Sequence, residues 1–181
     1  AKITLYKKGT QQVFQDFKSD DLTMYLNKNQ QPSVNIIQLY NEQSALIFGD
    51  FNFDGSQDLA IRNGNYGSYG GPTYDVYVFH RNKQQFVYSD ELSALTQENL
   101  GMFQLDPKKK RIITFNKSGC CYHIRSEYQV VPQQGLQLVR EFIEDASSAE
   151  NNKVEVTNRE LIKGKWKQSV KYYPIEQYYK E

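Results

Sequence analysis

Short runs in which apolar side chains recur at every second position, separated by turn residues, constrain this chain more than any other feature. A period of two puts alternate side chains on opposite faces of a strand. Residues 74–79, Tyr-Asp-Val-Tyr-Val-Phe, carry the pattern and turn at Arg81-Asn82-Lys83 into 85–88. Residues 45–48 read as a short strand, followed by a polar loop to Asp58 and a second strand at 59–62. Later runs pair in the same way: 103–105 with 111–115, 122–131 with 136–142, and 153–162 with 165–172. Tyr, Phe, Val, Ile and Thr dominate these segments, as a pleated, half-buried surface favours. The spacing predicts an all-β antiparallel meander: a sandwich, a barrel or propeller-like blades. One short helical pattern interrupts it at 90–100, with Leu92, Leu95 and Leu100 on one side.

A length of 181 residues suits a single all-β domain spanning 1–181, or such a domain with a small C-terminal hairpin appendage at 150–181. The small polar stretch from 145 to 152 reads as a hairpin tip or linker. Lys and Arg number 22 against 21 Asp and Glu, so the charge balance leaves no electrostatic footprint for nucleic acid. The basic run Lys108-Lys109-Lys110-Arg111 follows Asp106-Pro107 and reads as a solvated turn. No stretch approaches the ~20 apolar residues that span a bilayer. The first residue, Ala1, suits a mature chain from which a signal peptide has been cut, and a trimmed chain would look identical.

The loop Asp50-Phe51-Asn52-Phe53-Asp54-Gly55-Ser56-Gln57-Asp58 places oxygen-bearing side chains at its first, third, fifth and ninth positions. Calcium takes six to eight hard oxygen ligands, and a loop curling round it offers alternate residues. Asp50, Asn52, Asp54 and Asp58 are the expected side-chain ligands, and Ser56 supplies a backbone oxygen past the turn at Gly55. Three crowded carboxylates repel one another unless a dication stands between them. An EF-hand would need a Glu at the twelfth position, where this chain has Ile61 inside a strand. The bland alternative is a polar hairpin turn in which Asp-Gly satisfies turn geometry alone.

Gly64, Gly67, Gly70 and Gly71 lie among Tyr66, Tyr69 and Tyr74. Glycine permits positive φ and close backbone approach, and tyrosine offers a large ring with a polar tip. Such a loop either projects its tyrosines toward a partner or folds them back onto the sheet. Cys120-Cys121 is the only cysteine pair, and its neighbours leave three readings open: free thiols, a vicinal disulfide, or a soft-metal site with His123. His80 and His123 are the only histidines, and no Ser or Cys stands in a nucleophile-elbow setting. Asp90, Glu91 and Glu98 read as a solvated helix face rather than a glycosidase pair. The residues predict a protein without catalysis.

With Phe48-Gly49 ahead and Leu59-Ala60 behind, the 50–58 loop resembles the calcium loops of FG-GAP repeats, which are propeller blades. Five further motifs follow in order: Gly64 to Tyr74, Glu91-Leu92-Ser93-Ala94-Leu95, Gln97-Glu98-Asn99-Leu100-Gly101, Asp106-Pro107-Lys108-Lys109-Lys110, and Lys117-Ser118-Gly119-Cys120-Cys121-Tyr122-His123 ahead of Glu127-Tyr128. Together they resemble a family of bacterial periplasmic immunity proteins, often lipid-anchored. The resemblance covers about residues 44 to 142. Residues 1 to 40 and 146 to 181 carry none of these motifs. The family resemblance implies a propeller-like fold with bound calcium. It also implies inhibition of a lysozyme-like, peptidoglycan-degrading effector delivered by a type IV secretion system. On that resemblance Tyr66, Tyr69 and Tyr74 are the expected partner contacts, and a periplasmic site would permit the Cys120–Cys121 disulfide. The competing expectation is a calcium-dependent module for carbohydrate binding or adhesion.

Overall fold

The computed structural model describes residues 1–147 and 152–180. The chain forms two compact units, Ala1–Met102 and Phe103–Glu181. The division falls at 102/103; of the polar stretch at 145–152, residues 148–151 lie outside the described ones.

In the first unit, β1 (Lys2–Tyr6) and β2 (Val13–Lys18) form an antiparallel hairpin. A four-stranded antiparallel meander follows: β3 (Leu46–Gly49), β4 (Asp58–Arg62), β5 (Tyr74–His80) and β6 (Gln85–Tyr88). All five residues of β4 are buried, as expected of a strand flanked by β3 and β5. Leu59 and Ile61 share one face of β4 and pack with Phe17, Leu46, Phe48, Tyr77 and Phe86. The Phe17 and Tyr77 rings meet edge-on with centroids 4.8 Å apart, a favoured aromatic geometry.

Helix α1 (Asp90–Glu98) closes this unit. The Ser89 hydroxyl caps it by accepting the Leu92 amide, and Asp90 and Glu91 fill the first turn, where the helix dipole favours carboxylates. Its buried hydroxyls serve β5 directly. Thr96 Oγ1 accepts the Tyr74 amide at 2.9 Å, and Ser93 Oγ accepts the Val76 amide at 2.9 Å. Backbone donors that no strand reaches are therefore satisfied by the helix. The helix stops at Asn99, whose backbone is extended, and Gly101 turns the chain away with φ +91°.

The second unit is one six-stranded antiparallel sheet, ordered β12-β11-β10-β9-β8-β7. Its strands are β7 (Gln104–Asp106), β8 (Arg111–Ser118), β9 (Tyr122–Val131), β10 (Gly135–Asp145), β11 (Lys153–Ile162) and β12 (Lys165–Pro174). The helical turn α2 (Ile175–Tyr178) follows. The C-terminal hairpin extends the sheet: β11 pairs with β10 from Arg140↔Glu160 to Asp145↔Glu155. Every pairing between strands in both units is antiparallel, as the alternation predicts.

Candidate functional site

The 50–58 loop joins β3 to β4, so both ends are fixed by the antiparallel pairing of Gly49 with Asp58. Asp50 accepts the Asp54 amide on Oδ1 and the Gly55 amide on Oδ2, each at 2.9 Å. Asn52 Oδ1 accepts the Asp54 amide at 3.0 Å, and Asp54 Oδ1 accepts the Ser56 amide at 2.7 Å. Phe53 and Gly55 both turn with positive φ, +60° and +82°. Gly55 carries this at no steric cost, whereas Phe53 carries strain of about 1 kcal/mol.

Asp58 behaves differently from the other acids. It is fully buried, and its two oxygens accept the amides of Phe51 and Phe79, both at 2.8 Å. Burial pushes its carboxyl up to about 6; the two amides oppose the shift and the charge of Asp54 adds to it. Burial also pulls Asp54 upward. There the Ser56 amide and hydroxyl, Asn52 and Arg81 outweigh it, and the carboxyl is held below its ordinary value.

Arg81, in the turn between β5 and β6, carries no signal in the sequence yet belongs to this site. Its Nε donates to Ser56 Oγ at 2.7 Å and its guanidinium to the Asp54 carbonyl at 2.7 Å, with Asp54 Oδ1 at 4.0 Å. Only the fold brings the β5–β6 turn against the loop. Arg81, Asn52, Asp54, Phe79 and His80 line one shallow cavity.

The donors at this loop fit calcium by chemistry: carboxylate, amide and carbonyl oxygens, with no sulfur or imidazole. Asp50, Asn52 and Asp54 gather on the loop, and each carboxylate oxygen that accepts one amide keeps a second lone pair. Among the described residues no three carboxylate, imidazole or thiol groups stand in a ready ligating cluster. The Asn52 amide nitrogen points at Asp54 Oδ2, at 3.3 Å.

The glycine–tyrosine segment connects β4 to β5. Its two legs are zipped by Asn63 N–H to Thr73 O, Thr73 N–H to Gly64 O and Gly67 N–H to Gly71 O. A single 3-10 turn, Ser68–Gly70, forms the tip. Tyr69 at its centre adopts φ +56° and is 62% exposed; Tyr66 is 75% exposed. Glycine lets the backbone sit tightly here. A Cβ on Gly67 would lie 3.1–3.2 Å from the carbonyls of Gly71, Asn99 and Thr96, so the loop rests against the end of α1. Ser68 adds a hydroxyl bond to the Glu98 carbonyl at 3.2 Å.

The third tyrosine corrects the expectation. Tyr74 is fully buried and donates to the Ser44 carbonyl at 2.8 Å, so it cannot meet a partner. Burial raises its pKa well above the ordinary tyrosine value. The reason is strand parity: Tyr74 shares a face of β5 with the fully buried Val76.

Cys120 and Cys121 are bonded to each other, with Cα atoms 3.7 Å apart, in the turn between β8 and β9. The Cys121 carbonyl accepts the Ala146 amide at 2.7 Å, which ties this turn to the end of β10. Asp90, Glu91 and Glu98 are exposed on α1.

No protein-family model matches the chain. No curated protein matches it either. In fold it is similar to a solved structure from Xanthomonas, described as that of a Type IV Secretion System related protein, with a TM-score of 0.69. The two share 22% sequence identity over 92% of this chain and 76% of the other. At that identity the likeness establishes a common fold.

Proposed function

We propose that this chain is a periplasmic immunity protein that binds and inhibits a peptidoglycan-degrading, lysozyme-like glycosidase through the tip of its glycine–tyrosine loop. The observation that carries the reading is Tyr69. An aromatic residue with a polar tip stands exposed on a three-residue turn, and that turn is braced along both legs and against α1. A glycosidase cleft is concave and lined by carboxylates and aromatic rings; a thin loop fits it where a flat sheet face cannot. A braced loop also loses little freedom on binding. Tyr66 stands beside it as a secondary contact. The protein blocks catalysis and performs none.

Two supports come from outside the loop. The ordered motifs between about residues 44 and 142 resemble those of such immunity proteins. The fold is shared with a Xanthomonas protein described as type IV secretion system related. The partner in this reading is an effector of that secretion route, met in the periplasm, where a lipid anchor would keep the inhibitor at the membrane.

Calcium is part of the proposal. Asp50, Asn52, Asp54 and Asp58 would hold it, with the Ser56 carbonyl. Its contribution is charge neutralisation, which removes repulsion between the carboxylates and stiffens the connection between β3 and β4. Since β4 leads directly into the glycine–tyrosine loop, that stiffness reaches the base of the inhibitory tip.

A turbidity assay with purified cell wall and a panel of lysozyme-like glycosidases tests this reading. Stoichiometric inhibition of a panel member supports it. Binding to wall or glycan without inhibition favours the calcium-dependent carbohydrate-binding module instead.

A further inference from the structure

Between β2 and β3 the chain runs from residue 19 to residue 45 with no helix and no strand beyond isolated bridges. Structureless loops longer than roughly 12–15 residues are uncommon in compact domains and are mostly functional or disordered. This one is held by its own polar groups. Asn27 Oδ1 accepts the amides of Asn29 and Gln31 at 2.9 and 3.1 Å, and Ser33 donates its hydroxyl to Glu42 at 2.6 Å. Leu22 and Ala45 turn inward, but several of its other apolar residues face outward. Met24, Tyr25 and Leu26, three in a row, are 48%, 44% and 53% exposed. Turn geometry requires no such run, and an exposed run of apolar residues is a liability unless something covers it.

The run is joined to the tyrosine loop by one buried cation. Arg62 is 5% exposed, and its guanidinium carbon lies 5.8 Å from the centre of the Tyr25 ring. The same guanidinium donates to Asn65 Oδ1, in the first leg of the loop just before Tyr66, and to the Gln43 carbonyl at 3.4 Å. Gln43 in turn holds the other side of the loop's support. Its side chain donates to the Leu100 carbonyl at 3.1 Å and accepts the Met102 amide at 2.8 Å, beside the Gly101 turn on which Gly71 packs. Arg62 Nε has no partner among the described residues. A buried guanidinium left partly unpaired is a cost that the core alone does not explain.

Area adds a reason for a second contact. A stable inhibitor complex covers about 800 Å² on each partner, which a three-residue tip does not approach. We infer that Met24, Tyr25 and Leu26 form the second limb of the surface begun by Tyr66 and Tyr69, and that the same glycosidase occupies it. Its rim beside the cleft would bury Met24 and Leu26 against apolar side chains and meet the Tyr25 hydroxyl with a polar group. This rests on the inhibitor reading.

The test uses the full chain and a glycosidase that the parent inhibits, with the double variant Met24→Ser/Leu26→Ser and, separately, Met24→Lys. The expected result is inhibition at least tenfold weaker for the double variant, chiefly through faster dissociation. Met24→Lys, expected to keep the parent's melting temperature, should also weaken inhibition. Unchanged inhibition by both variants overturns the inference while leaving the Tyr69 reading intact. A parent dimer that the double variant abolishes, with inhibition unchanged, would also overturn it, because the run would then serve a second copy of this chain. A parent that inhibits no glycosidase removes the inhibitor reading itself, and this surface with it.

Discussion

Arg81 Nε donates to Ser56 Oγ at 2.7 Å, so the turn between β5 and β6 holds the loop between β3 and β4 from outside. A cation thus stands beside a loop built of carboxylates before any metal is considered. Arg81 is well exposed, so its ion pair with Asp54 at 4.0 Å contributes little by itself. The two short hydrogen bonds matter more, at about 1 kcal/mol together. Arg81→Gln should therefore lower the melting temperature in chelator by about 2 °C. In calcium the same substitution should enlarge the metal-induced rise, because one positive charge near the bound ion is gone. Melting curves in both conditions check this, and an unaltered calcium response would show that Arg81 does not sense the site.

Calcium itself should raise the melting temperature. A ligand bound only by the native state adds about 2.7 kcal/mol at a hundredfold excess over its Kd. Asp50→Asn and Asp54→Asn should abolish this gain. Coincident melting curves for the parent in calcium and after verified stripping of metal would count against the loop as a calcium site.

Two glycines in the tyrosine loop should respond differently to the same change. Gly67→Ala places a Cβ against three backbone carbonyls at 3.1–3.2 Å, none of which can swing aside. Gly70 has open space around it, so Gly70→Ala meets only the left-handed backbone penalty at φ +69°, about 1 kcal/mol. Thermal unfolding should therefore show Gly67→Ala as the more destabilising, and Gly67→Ala should also displace the tip and weaken inhibition. Equal losses for the two would mean that the loop is not packed on α1.

Much of this was legible in the residues, and the omissions have physical reasons. The meander from β3 to β12 followed from alternation and turn residues, often to within a residue or two. The β1–β2 hairpin did not, because its strands carry Lys2, Asp16 and Lys18 and bury only Phe17 fully, which blurs the period. Tyr74 was misplaced although parity with Val76 offered a signal. Glycine–tyrosine composition drew all three rings into one group, whereas strand parity sends the last one inward. Arg81, Gln43 and Arg62 were invisible, since each matters through a neighbour distant in sequence: Ser56, Met102 and Tyr25.

The central claim is that Tyr69 enters the cleft of a glycosidase, and one measurement bears on it most directly. Tyr69→Ala keeps a Cβ at φ +56°, so backbone strain is nearly unchanged. A central interface tyrosine that fills a pocket loses about 2 kcal/mol or more when truncated. Inhibition of the sensitive glycosidase by Tyr69→Ala should be at least tenfold weaker than by the parent, with the melting temperature within about 1 °C of the parent's, and Tyr66→Ala should lose less. Inhibition equal to the parent's by Tyr69→Ala would contradict the account and send the search for the inhibitory contact to another part of the surface.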